Sequence, residues 1–138
     1  MAHCSQRPSM SAAFEFPVFL RTRDSGEVKA YRSIIDMESY LEEIDVENAE
    51  YEAWDAGDTP LSLSVQQKKA WLRIAVAASP LPRQLTTAIA EYARRAGVDI
   101  DATVLSPQNF ASALERTREM AEAKRRAQPW WRRLMQRF

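Results

Sequence analysis

A 32-residue run, 34–65, carries ten carboxylate side chains and no lysine, arginine or histidine. An ionised carboxylate is not buried without partners, so the run can fold only by sorting its apolar residues to one side of short elements. Its periodicity does this twice. Met37, Tyr40, Leu41 and Ile44 fall at i, i+3, i+4 and i+7, which predicts a helix over 36–44 with one apolar stripe and Ser33 or Asp36 as cap. On that stripe Tyr40, Leu41 and Ile44 are expected in the core, and Glu42 and Glu43 in solvent. Residues 50–55 then read as a strand, and after the loop AGDTP, Leu61, Leu63 and Val65 alternate with serines as another.

The flanking sequence supplies the rest of a sheet. Residues 14–23 alternate, with Phe16, Val18, Leu20 and Thr22 on one side and Pro17, Phe19, Arg21 and Arg23 on the other. Asp24, Ser25 and Gly26 make a turn whose glycine can take positive φ, and 28–32 returns as a hairpin strand. Residues 71–76 fit two periods, since Leu72, Ile74 and Val76 alternate while Trp71, Ile74, Ala75 and Ala78 suit a helix. The hairpin-length loop QQKK before them and the Pro80/Pro82 pair after them favour the strand. Residues 82–96 form a helix with Leu85, Ala88, Ile89 and Tyr92 on one face and Gly97 as its stop. Ser106 and Pro107 open another that runs to 127, with a thin apolar line of Phe110, Leu114, Thr117 and Ala121, so it should lie on the domain rather than inside it. Glu115 with Arg118 and Glu122 with Arg126 can pair along its surface.

These elements predict an α+β fold: a small antiparallel sheet of about five strands, a short helix between hairpins and two or three C-terminal helices. With 46% apolar and 28% charged residues in 138, the chain suits one domain with its own core. That domain is expected over 14–127, behind a polar, aperiodic arm at 1–13 that also reads as sequence upstream of a start at Met10. The cytoplasm is the expected compartment. Cys4 is the only cysteine, which excludes an intrachain disulfide, and neither a signal-length apolar run nor an 18-residue apolar stretch occurs.

Net charge is zero, yet the charge is polarised. Opposite the acidic run, residues 124–137 hold six basic side chains and no carboxylate side chain. Residues 128–138 predict a cationic amphipathic helix that begins after Pro129. Trp130, Trp131, Leu134, Met135 and Phe138 share an arc of about 140°, with Arg132, Arg133 and Arg137 opposite.

At DSGE (24–27) and EEIDVENAEYEAWDA (42–56) the chain resembles a group of small uncharacterised bacterial domains. The resemblance covers roughly residues 16–76 and is in keeping with the strand at 71–76. It implies no activity, cofactor or functional residue.

The chemistry that the residues offer is limited. Asp45, Glu47 and Glu50 imitate the start of a calcium loop, but a loop starting at Asp45 needs glycine sixth and glutamate twelfth, where this chain has Glu50 and Ala56. The only soft ligands, His3 and Cys4, lie in the arm, which argues against structural zinc. No cofactor is expected. Without a histidine after His3, a general base would have to be a carboxylate whose pKa is raised by burial, and no pair stands out. The chain also lacks a glycine-rich phosphate loop and a nucleophile-elbow motif. Nucleic-acid binding could use the arginine- and tryptophan-bearing tail, but the acidic body would repel phosphate.

Two expectations remain. One is a non-catalytic protein-binding module, of the kind an immunity or inhibitor protein is, that steers a basic partner onto its acidic face. Glu42, Glu43, Glu47, Glu50, Glu52 and Asp55 are the candidate contacts, with Tyr51 and Trp54 as aromatic anchors. The alternative is a peripheral adaptor docked through the tail, with Trp130, Trp131, Leu134 and Phe138 entering a membrane interface or a partner and Arg132, Arg133 and Arg137 meeting anionic lipid. The tail could equally pack on the domain, or on a second copy.

Overall fold

Strand β1, Val18–Thr22, is buried along nearly its whole length rather than on one side. The alternation FLR within it therefore feeds two cores: Val18 and Leu20 enter one apolar cluster and Phe19 the other. Around β1 the computed structural model, which describes residues 14–127, builds an antiparallel sheet. Its other strands are β2 (Val28–Tyr31), β3 (Tyr51–Trp54), β4 (Pro60–Val65) and β5 (Leu72–Val76). Spatial order is β2-β1-β3-β4-β5. The helices are α1 (Ile34–Tyr40), α2 (Glu43–Glu47), α3 (Leu85–Arg95) and α4 (Phe110–Ala127), with a 3-10 turn at Ala102–Val104. This is the expected α+β fold with five antiparallel strands. The expected arm (1–13) and amphipathic C-terminal helix (128–138) lie outside the described residues.

Residues 72–76 are a strand, paired with β4 from Leu61↔Val76 to Val65↔Leu72. Alternation thus prevails over the helical period there, because Leu72 and Ile74 have an apolar sheet face to fill.

Each sheet face carries a helical layer. Met37, Leu41 and Val46 close the cluster formed by Val18, Leu20, Tyr31, Ala53, Leu61, Leu72 and Ile74. On the opposite face Phe19, Val28 and Trp54 meet Leu85, Ala88 and Ile89 of α3 and Phe110 and Leu114 of α4. Phe19 and Phe110 pack edge to face with ring centroids 5.9 Å apart. Burial of an aromatic or large aliphatic side chain is worth about 1.5–3 kcal/mol, so Trp54, Phe19 and Phe110, each at most 1% exposed, anchor this layer. The β4–β5 hairpin turns Ser62, Ser64 and Arg73 to the same side, and their polarity fits a region that α3 and α4 leave open.

Glycine is required at two joints. Gly26 has φ +77°, and a Cβ there would stand 2.5 Å from Arg95 Nη1. Gly97, at φ +78°, ends α3 in a Schellman arrangement in which the amides of Gly97 and Val98 donate to the carbonyls of Arg94 and Ala93. Helix α4 starts at Phe110, later than the Ser106–Pro107 signal. The Asn109 side chain accepts from the Ser106 amide and donates to the Val104 carbonyl, holding that segment as a turn. Of the two surface pairs expected on α4, Glu122–Arg126 is formed at 3.8 Å.

The single helix expected over 36–44 is corrected to two. Ser33 Oγ caps α1 by accepting from the Asp36 amide at 3.1 Å, but the backbone leaves the helix at Leu41 (φ −90°, ψ 152°) and α2 starts afresh at Glu43. The break resets the helical phase. Leu41 stays in the core, and Val46 takes the place expected for Ile44. Tyr40 and Ile44, expected in the core, are 73% and 61% exposed. Glu42 and Glu43 are exposed, as expected.

Candidate functional site

Five of the ten carboxylates of residues 34–65 are taken up inside the fold. Glu38 reaches across to accept from the Leu72 amide at 2.9 Å, tying α1 to the start of β5. Asp55 is 4% exposed and organises the β3–β4 loop, its Oδ1 accepting from Gly57 and Thr59 amides and its Oδ2 from the Glu15 amide. Asp58 accepts from the amide of Leu85, the first residue of α3. It supplies the cap that Gln84 does not, and partial burial pushes its carboxyl above the ordinary value against the opposing pull of that hydrogen bond. Asp45 accepts a long 3.4 Å bond from the Tyr51 hydroxyl, and burial, with Asp45 adding to it, drives the Tyr51 phenol up to about 12.

Glu52 is the fifth and the most enclosed, at 2% exposure. Arg83 lies 3.2 Å from it, Arg23 3.5 Å and Arg21 3.6 Å, and Arg83 also faces Glu91 at 3.9 Å. A buried carboxylate needs such compensation. Arg21 is its cross-strand neighbour, since β1 pairs with β3 through Arg21↔Glu52.

The expected contact set changes accordingly. Glu52, Trp54 and Asp55 are buried and hold no position on an accessible surface; Trp54 is a core residue. Glu42, Glu43 and Glu47 are exposed, and Glu50 and Tyr51 are half-buried. The sequence reading missed the residues beside them. Ile35, Tyr40 and Ile44 stand 75%, 73% and 61% exposed on α1 and α2, the stretch of chain that also carries the exposed Glu42, Glu43 and Glu47. Spacing carried no signal of this, because the stripe of Met37, Tyr40, Leu41 and Ile44 has ordinary helical width and does not betray the break at Leu41.

Tyr40 also marks a boundary. On one side an open groove of about 330 Å³ runs between Tyr40 and Asp36 of α1, Lys29, Tyr31 and Arg32 of the β2 edge, and Arg118 of α4. Three cations face one carboxylate there. A smaller hollow of about 140 Å³ shares Lys29, Tyr31 and Tyr40 with this groove and is completed by Glu27, Leu41 and Tyr51 among others. The Tyr31 and Tyr40 rings are 6.2 Å apart. Tyr31 is raised above the ordinary phenol value by burial first and by Glu27 and Tyr40 next, with Arg118 opposing.

Among the described residues no three metal-ligating side chains converge, and no helix is long and apolar enough to cross a membrane. The expected docking residues of the tail, Trp130, Trp131, Arg132, Arg133, Leu134, Arg137 and Phe138, lie outside the described residues. No family model, curated protein or solved structure matches the chain.

Proposed function

We propose that the chain is a protein-binding module whose contact surface is the outer face of α1 and α2. One observation carries this reading: Ile35, Tyr40 and Ile44 stand exposed on α1 and α2, and Glu42, Glu43 and Glu47 of the same stretch of chain are exposed with them. Exposed apolar and aromatic side chains accompanied by charge are the material of a protein interface, and the exposed carboxylates favour a partner with a basic surface, as an inhibitor or immunity protein would have. The acidic field is narrower than the sequence suggests, because five of the ten carboxylates are used internally. Those left over are concentrated on and beside α1 and α2.

The test compares what the immobilised chain, its Ile44→Ala variant and its Glu42→Lys/Glu43→Lys/Glu47→Lys variant capture from host extract. A partner of this face is lost by both variants, and its association with the wild type accelerates as salt is lowered. Loss of the Ile44 anchor should weaken binding at least about tenfold. Capture of the same proteins by all three chains would overturn the reading.

A further inference from the structure

We propose that the outer edge of β2 is a docking site for an extended acidic segment of another protein, which adds to the sheet as a further strand. The inference goes beyond the reading of α1 and α2 and does not depend on it. Of the residues named for that face it uses only Tyr40, and its ligand has the opposite charge. Strand β2 is the last on its side of the sheet, and the register decides where its backbone groups point. The Thr22 amide donates to the Glu27 carbonyl, and Lys29 and Tyr31 stand opposite Leu20 and Val18, so residues 27, 29 and 31 exchange hydrogen bonds with β1. In an antiparallel ladder the intervening residues turn their N–H and C=O the other way. Val28 and Ala30 therefore direct theirs to the outer edge. Val28 is buried, whereas Ala30 is exposed and lines the groove of about 330 Å³. An incoming strand can exchange two hydrogen bonds with Ala30, as peptides do that extend a sheet.

The walls of the groove belong to opposite layers. Helix α1, which packs on one sheet face, contributes Asp36 and Tyr40, and α4, which packs on the other, contributes Arg118. A groove walled by both layers follows the strand edge between them. Its charge selects the occupant. Lys29, Arg32 and Arg118 face one carboxylate, Asp36, and among the described residues none of the three cations is in an ion pair. Other carboxylates lie nearby, since Glu27 is within electrostatic reach of Tyr31 and Glu115, Glu119 and Glu122 share a separate hollow with Arg118. The groove itself keeps its cationic excess. Like charge holds the β2 edge of a second copy away, and the same charge draws in an acidic strand.

The probe is a fluorescent octapeptide of alternating glutamate and threonine, blocked at both ends and titrated with the full chain. Anisotropy should report a Kd on the order of 100 µM that tightens as salt falls from about 0.3 to 0.05 M, and a peptide of alternating lysine and threonine should not bind. Arg32→Gln/Arg118→Gln should weaken binding at least about tenfold. Two further measurements separate strand addition from simple charge attraction. The same acidic peptide with every backbone amide methylated keeps its carboxylates and loses its donors, so it should not bind. Ala30→Pro removes the outward N–H and leaves the ladder with β1 intact, so it should lose the peptide while keeping the far-UV circular dichroism of the wild type. If that variant fails to fold, the methylated peptide carries the comparison. Absence of octapeptide binding at low salt overturns the proposal, as does equal binding of the methylated peptide or unchanged binding by Arg32→Gln/Arg118→Gln. Inorganic phosphate that shifts the amide resonances of Lys29 to Arg32 where the octapeptide shifts none also overturns it, and makes the groove a site for small anions.

Discussion

Glu52 and Glu42 are ten residues apart in one acidic run and behave as opposites. Glu52 is enclosed by Arg21, Arg23 and Arg83, while Glu42 is exposed. Removing the buried carboxylate leaves Arg21, itself 8% exposed, beside the guanidiniums of Arg23 and Arg83 with Glu52 gone, while Glu91 still faces Arg83. Glu52→Ala should therefore cost about 3–5 kcal/mol in denaturant unfolding, whereas Glu42→Gln should stay within about 0.5 kcal/mol. Combining Glu52→Leu with Arg21→Met should cost less than Glu52→Leu alone, which a double-mutant cycle measures. Nothing local in the sequence distinguishes these two glutamates. The distinction comes from the pairing of β1 with β3, which places Arg21 opposite Glu52. A second residue-scale prediction concerns alkali. Because the Tyr51 phenol is raised to about 12 from 10.0, the folded chain holds a proton that the unfolded chain releases. Stability from this group is complete below pH 10.0, falls as pH rises and is lost by about pH 12. Tyr51→Phe should remove that component, and phenolate absorbance of the native protein should show Tyr51 titrating late, as does Tyr31, whose phenol is also raised. Asp45→Asn should bring its titration earlier.

At the scale of elements, most strands and the long helices were readable because one period dominated each. Residues 71–76 fit two periods, the hairpin-length connection Gln66 to Lys69 decided between them, and β5 is a strand. Gly26 and Gly97 stand where the turn and the helix stop were expected, both at positive φ. The exception is instructive. Met37, Tyr40, Leu41 and Ile44 satisfy helical spacing, but spacing cannot reveal that the backbone extends at Leu41 and re-enters a helix at Glu43. The break lets Leu41 and Val46 both reach the sheet, and Tyr40 and Ile44 are turned outward as a result. Leu41→Ala should cost about 2–5 kcal/mol through lost burial and the cavity left behind, while Tyr40→Ala should change stability by less than about 1 kcal/mol. Equal losses at the two positions, measured by thermal or urea unfolding, would mean that the uninterrupted helix is the better description. The candidate site inherited this error. Its carboxylates were visible in the sequence, its apolar anchors were hidden by the phase, and Trp54 looked like an anchor because its partners Phe19, Leu85 and Phe110 lie far away in the chain.

For the molecule as a whole, stability is layered. Strands β1 and β3 have helices on both faces, the β4–β5 hairpin on one, and α2 is a five-residue helix on the rim. Native-state amide exchange should therefore be slowest in β1 and β3, intermediate in α3, and fast in α2 and the turn at Ala102–Val104. Comparable protection in α2 and β1 would contradict this picture. With α2 the readily opening element, the proposed docking face rests on it, so partner binding should slow exchange at α1 and α2 first.

The division of labour along the chain also bears on its synthesis. All five strands lie between Val18 and Val76, and the helices that cover Phe19, Val28 and Trp54 follow from Leu85 onward. A nascent chain that has emerged only as far as β5 can pair every strand and close the first apolar cluster with α1 and α2, yet it presents a bare apolar sheet face. Such a surface is one that chaperones hold and that neighbouring chains stick to. The late helices thus close that face last. The contact of Arg95 Nη1 with the Ser25 carbonyl, 70 residues upstream, joins the first hairpin to the helix that completes the second layer.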